Sequence, residues 1–244
     1  MRNLRLDICY DGTRYRGWQR LAGDHNTIQG KLEQTLSRVL GEPIEVSGSG
    51  RTDAGVHAVG QVVSFHCEST MPAEQIQSEL SRYLPEDIGV YSCKDAAPRF
   101  HARLNARRKT YRYRIWNSVA PCVFERRFVS RFPEPLDCDA MHQAGQYLLG
   151  EHDFAAFCTR AKAKKSTVRE IHSVHVYREG HEIRMDITAD GFLYNMMRIL
   201  AGTLIEVGRG ERKPGEIEML FDSQRSETGF LAPAQGLCLM EVEY

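Results

Sequence analysis

The stretch Gly48-Ser49-Gly50-Arg51-Thr52-Asp53-Ala54-Gly55-Val56-His57-Ala58 holds the side chains best suited to chemistry. Glycines at 48, 50 and 55 admit positive φ and close backbone approach, so Arg51-Thr52-Asp53 can stand on a tight loop between two extended segments. Arg51 and Asp53 are two apart. On an extended backbone this places both on one side, where the cation helps keep the acid ionised. Two readings are open: a catalytic carboxylate, or a glycine-rich turn whose Asp bonds its own backbone. Other side chains pose the same question. Tyr111 falls on the apolar face of an alternating strand beside Tyr113, the ordinary place of a core tyrosine. Arg198 points away from the helical stripe Phe192, Met196, Leu200, Thr203 and Val207, yet its own side carries Tyr194, Gly202 and Ile205. That helix is expected to be covered on both sides, with Arg198 buried and in need of an anion, either Asp53 or a phosphate. His57, in the strand after the loop, is read as structural.

Such a loop needs strands on either side to hold it. Leu4, Leu6, Ile8 and Tyr10 alternate with Arg5, Asp7 and Cys9, which predicts an opening strand closed by Asp11-Gly12. A helix over about 27–40 follows, with Asn26 and Gln29 at capping-box spacing, Ile28, Leu32, Leu36 and Val39 on one stripe, and Gly41 and Pro43 beyond its end. Ile44 and Val46 form a short strand into the loop, and Val59, Gln61, Val63 and Phe65 alternate in the strand after it. A helix over 72–84 and a strand over 88–92 complete a β-α-β-β-α-β order. The second half reads as a strand over 109–117, a helix over 137–149, strands over 167–177 and 182–189, helices over 192–207 and 214–222, and a last strand over 237–244. Two split β-α-β units in tandem imply an α+β chain of two ferredoxin-like halves. They divide at 1–100 and 101–244, with the linker in 94–106; 118–136 is the longest irregular stretch.

Hydrophobic residues make up 42% of the 244, enough for a proper core, and 32 basic residues balance 32 acidic ones. The distribution is uneven. Between Arg99 and Arg131 ten Lys and Arg face the single acid Glu125, and Arg160, Lys162, Lys164, Lys165 and Arg169 follow with none. A neutral chain with one strongly basic tract suits a polyanion bound on one face. Phe100, Tyr111, Tyr113 and Trp116 interleave the tract and could stack on bases. Seven cysteines, an odd number without a C-x-x-C pair, predict reduced thiols and no zinc site. No signal peptide, transit sequence or long apolar run is evident, so a cytoplasmic protein without membrane attachment is expected.

The order G-R-T-D-A-G-V-H-A resembles the signature of the tRNA pseudouridine synthase A family. Tyr10-Asp11-Gly12-Thr13 with Trp18-Gln19, Lys109-Thr110-Tyr111-Arg112-Tyr113, Gly191 to Arg198, and Ala232-Pro233-Ala234-Gln235-Gly236-Leu237 are similar to further family blocks, in the family's order. Met197 stands where the family favours Val. The resemblance implies that the sheets of the two halves join into one mixed, mainly antiparallel sheet, with helices on one side and a central cleft. It implies that Asp53 is catalytic, that Arg198 pairs with it, and that Tyr111 lies against the target base. Because the base must leave its stack, Arg51 on the loop could enter the vacated space; Leu237 is expected against substrate, and Arg107, Arg108, Arg126 and Arg127 of the basic tract against phosphates. The reaction would cleave the glycosidic bond, turn the uracil and rejoin its C5 to ribose C1′, without cofactor or metal. Substrate would be uridines 38, 39 and 40 of the tRNA anticodon stem-loop, bound by a homodimer. Against a non-catalytic double RNA-recognition module stands the missing Gly-Phe-Gly core around Tyr111. Against a metal-dependent RNA hydrolase stands the lack of a carboxylate near Asp53 in sequence.

Overall fold

The computed structural model describes residues 1–23, 26–159 and 166–244. The chain runs β1 (Arg2–Tyr10), α1 (Ile28–Leu40), β2 (Val46–Gly48), β3 (His57–Cys67), α2 (Ala73–Tyr83) and β4 (Ile88–Asp95). It continues through β5 (Arg108–Trp116), β6 (Ser130–Arg131), α3 (Cys138–Gln146), β7 (Gly150–Asp153), β8 (Val168–Glu179), β9 (Glu182–Ala189), α4 (Met196–Gly208) and β10 (Leu237–Glu243). Contacts divide it into two compact units, Met1–Arg107 with Leu239–Tyr244, and Arg108–Cys238. The last six residues thus return to the first unit, which a linear division of the chain does not express.

In the first unit the strand order is β4-β1-β3-β10, with β2 on β3. Antiparallel register sets Leu4 opposite Phe65 and Leu6 opposite both Val63 and Cys93. Leu4, Leu6 and Ile8 are fully buried, as are Leu32 and Leu36 of α1 and Ile76 and Leu80 of α2. Each such aliphatic side chain contributes roughly 1.5–3 kcal/mol by leaving water. Helix α1 stops where Gly41 turns left-handed at φ 72° and its N–H reaches Ser37 O. Its start corrects the expected Asn26/Gln29 box: Thr27 is the N-cap, its Oγ1 accepting from Gly30 N at 3.1 Å, while Asn26 donates to Arg14 O. A hydroxyl three residues before the N–H it caps suits the geometry better than an amide one turn position earlier.

The second unit orders its strands β5-β9-β8-β7, with β6 parallel to β5. Tyr111 pairs with Ile187 and Tyr113 with Met185, and Val174 and Val176 of β8 continue those rows. Strands β6 and β7 escape alternation because they are two and four residues long. Helix α4 is covered all round as expected, with Ile199 to Ile205 buried without interruption. It begins at Met196, not near 192, because Asn195 sits left-handed at φ 62°. Phe192 therefore belongs to the preceding loop and not to the helical stripe.

Candidate active site

The loop between β2 and β3 is shaped by residues far from it in sequence. Ser49 N reaches Val62 O at 2.8 Å, continuing the β2–β3 pairing, and Ser49 Oγ donates to Gln61 Oε1 at 2.5 Å. The Gln61 amide in turn donates to Gly50 O at 3.0 Å. Tyr10 Oη, at the end of β1, meets Thr52 Oγ1 at 2.8 Å, and Trp18 N donates to Thr52 O at 3.0 Å. Close approach at two glycines makes this possible: a Cβ on Gly48 would lie 2.3 Å from the Trp18 ring, and one on Gly17, at φ 93°, 2.7 Å from Thr52 O. The loop closes with Val56 N on Asp53 O at 3.1 Å, while Gly55 turns left-handed at φ 78°.

The result is a division within Arg51-Thr52-Asp53. Thr52 is buried and bonded at both its hydroxyl and its carbonyl, Asp53 is half-buried, and Arg51 is exposed. This is the alternation that a two-residue spacing on extended backbone predicts. His57, read from the sequence as structural, is buried, and its Nδ1 accepts from Gly12 N at 3.0 Å, 3.2 Å from Asp11 Oδ1. The Tyr10-to-Thr13 block and Trp18 thus build the seat of the loop.

In the second unit, Tyr111 is buried on β5, its ring edge-on to Phe192 with centroids 4.9 Å apart. Arg198 is half-buried, less than expected. Its Nε donates to Ala232 O at 2.7 Å and its Nη1 to Asn195 Oδ1 at 3.4 Å, while Ala232 N returns to Arg198 O at 3.2 Å. The segment from Gly229 to Leu237 acts as a strap along α4. A Cβ on Gly202 would stand 1.9 Å from Phe230 O, and Gly229 N bonds Thr203 Oγ1 at 3.0 Å. Farther on, Pro233 O accepts from the Tyr113 hydroxyl at 2.9 Å, and since a carbonyl only accepts, Ser130 Oγ at 2.8 Å is the donor to that same hydroxyl. Leu237, the last residue of this block, is buried at the start of β10.

The basic tract separates into two kinds of residue. Arg112 forms a bidentate pair with Asp186, both bonds 2.7 Å, and Arg114 another with Glu182 while also meeting Glu125. Burial alone would raise the Glu182 carboxyl, but its bonds to Arg114 and Arg184 outweigh that and hold it below the usual range. These strand arginines are committed to β9. A tally along the sequence missed this because the acids lie across the sheet. By contrast Arg99, Arg103, Arg107, Arg108 and Arg127 are exposed and carry no ion pair among the described residues. Arg160, Lys162, Lys164 and Lys165 lie outside the described residues. Among those described, no helix is long and apolar enough to cross a membrane.

Sequence comparison places these features in context. The sequence model of a family described as tRNA pseudouridine synthase matches residues 8–105 and 144–244, which include Asp53, Arg198 and Leu237. Tyr111 and much of the basic tract lie between the matched stretches. The tRNA pseudouridine synthase A of Bacillus sp. (strain KSM-64) is 45% identical over 245 residues, covering 100% of both chains. Those of Brevibacillus brevis and, as tRNA pseudouridine synthase A 2, Clostridium perfringens are 44% and 43% identical over the same full lengths. Among solved structures, a chain of a Cbf5-Nop10-Gar1 complex overlaps 97% of this chain and 48% of its own, at TM-score 0.37 and 11% identity, too loose for any correspondence of residues. On full-length identity above two in five, the chain belongs to the tRNA pseudouridine synthase family, whose members are isomerases.

Proposed function

We propose that the chain isomerises uridine to pseudouridine at positions 38, 39 and 40 of the tRNA anticodon stem-loop, with Asp53 as the reacting carboxylate. The observation that carries this reading is the locked Thr52: the loop is fixed through its middle residue, which sets the half-buried Asp53 beside it in a defined place. A carboxylate serves the isomerisation by attacking C1′ to hold a covalent sugar, or by taking the ribose 2′ proton to give a glycal. Both routes need the ionised acid. In this reading Arg51 fills the space vacated by the extruded base, which must leave its stack to react. Tyr111 lies against that base, where its phenol relays the C5 proton, accepting it as its own proton passes to solvent, and Arg198 supplies positive charge to Asp53. Leu237 contacts the base, and Arg107, Arg108, Arg126 and Arg127 contact phosphates. The full-length similarity to proteins named tRNA pseudouridine synthase A supports tRNA as the substrate. A cytoplasmic homodimer sharing one tRNA completes the reading.

Mass spectrometry of cyanoethylated tRNA, from cells with and without this protein, tests it. Pseudouridine at 38, 39 and 40 should vanish in the deletion and return on complementation. Unchanged modification at all three positions would refute the assignment.

A further inference from the structure

The irregular segment after β5 is an ordered loop with an apolar side chain held in water. Trp116 Nε1 donates to Ala120 O at 2.7 Å, Arg126 Nη1 to Val123 O at 2.6 Å, and Arg131 to the carbonyls of Ser118 and Val119. Phe128 N reaches Glu125 O at 2.8 Å, and Glu125 is tied to Arg114. On this pinned frame Phe124 is 96% exposed. With Val119 and Val123 also exposed, at 78% and 57%, the loop holds three large apolar side chains in water, unlike the single scattered ones of an ordinary surface. Beside it in the chain, Pro121, Val123 and Val129 line a hollow of about 390 Å³ together with Arg126, Arg131 and Gln235. That volume falls within the roughly 300–1,000 Å³ of small-ligand sites. Of the residues given a role above only Arg126, a phosphate contact, lines it, and the loop lies between the two stretches that the family model matches.

We propose that this loop binds an unpaired nucleobase of the tRNA, other than the reacting uridine, with Phe124 as its stacking face and Arg126 and Arg131 on the adjoining phosphates. The proposal rests on tRNA being the substrate. Charge argues for this occupant over a second copy of the chain: Arg126, Arg127 and Arg131 surround a loop whose one acid, Glu125, is already paired, so two such loops would repel while a polyanion is attracted. Phosphate alone would not use the apolar floor or Phe124. A base uses both, as in single-strand sites where aromatic faces and cations alternate along the backbone.

The test is equilibrium binding of fluorescently labelled, unmodified tRNA transcript to the full-length protein. Phe124→Ala should raise Kd about 5- to 150-fold, the range of a lost base–aromatic stack, with the salt dependence parallel to the parent's because no charge is removed. Phe124→Trp should bind like the parent, and Phe124→Leu like Phe124→Ala. A Phe124→Ala Kd within twofold of the parent overturns the proposal, as does full retention by Phe124→Leu. Sedimentation without RNA decides for the other occupant: dissociation of an oligomer by Phe124→Ala assigns the loop to contact between copies. A parent that binds tRNA but forms no pseudouridine would count against the catalytic reading and leave these binding outcomes intact.

Discussion

The Asp53 loop and the start of α4 hold the side chains proposed for the chemistry in opposite ways. In the loop, the neighbour is fastened: Thr52 takes the bonds from Tyr10 and Trp18, and this sets the place of Asp53. At the start of α4 the functional residue is itself a fastener. Arg198 bonds Ala232 O and Asn195 Oδ1, and its own carbonyl receives Ala232 N. Asp53→Asn, which keeps the size of the side chain and the bonds of Thr52, should therefore cost mainly chemistry, whereas removing Arg198 should cost chemistry and structure together.

Among the supporting residues the largest effect is expected at Arg198. Arg198→Ala should lower turnover about 10²- to 10³-fold, the usual loss when a positioned electrostatic group is deleted. It should also lower stability by about 1.5–3 kcal/mol through the lost charged hydrogen bonds, read as a shifted denaturation midpoint. An unshifted midpoint would make Arg198 like Asp53 and break the contrast. Thr52→Val keeps the shape but leaves the Tyr10 hydroxyl without its nearest partner, so a loss of about 1–3 kcal/mol should appear by denaturation. Turnover should fall about tenfold through misplacement of Asp53, less than for Arg198→Ala. The same logic of committed against free side chains applies within the basic tract. Arg107→Ala with Arg108→Ala should lower the salt slope of tRNA binding by about 1 per lost phosphate contact, whereas Arg112→Ala, already paired to Asp186, should leave the slope unchanged and the fold weaker.

The strand and helix order was legible because alternation and the apolar stripe of α1 are local signals, and Gly41 announced its stop. The pieces that escaped were set by contacts distant in sequence. Phe192 read as helical until Asn195 broke the helix behind it, and Arg112 and Arg114 read as open cations until Asp186 and Glu182 met them from β9. Asp53 stood out by its glycine-rich setting, but the bonds that seat its loop did not, since Tyr10, Trp18 and Gln61 come from different parts of the chain. Gln61 was the visible hint, a polar residue on the inward face of an apolar strand, fully buried and fully bonded.

The central claim is that Asp53 is the reacting carboxylate. Single-turnover pseudouridine formation by Asp53→Asn, measured beside its tRNA affinity and denaturation midpoint, tests it most directly. The substitution keeps size and hydrogen bonding while removing the charge. Turnover should fall about 10⁴-fold or to the detection limit, with affinity and midpoint like the parent's. Pseudouridine formation within about tenfold of the parent rate would contradict the account.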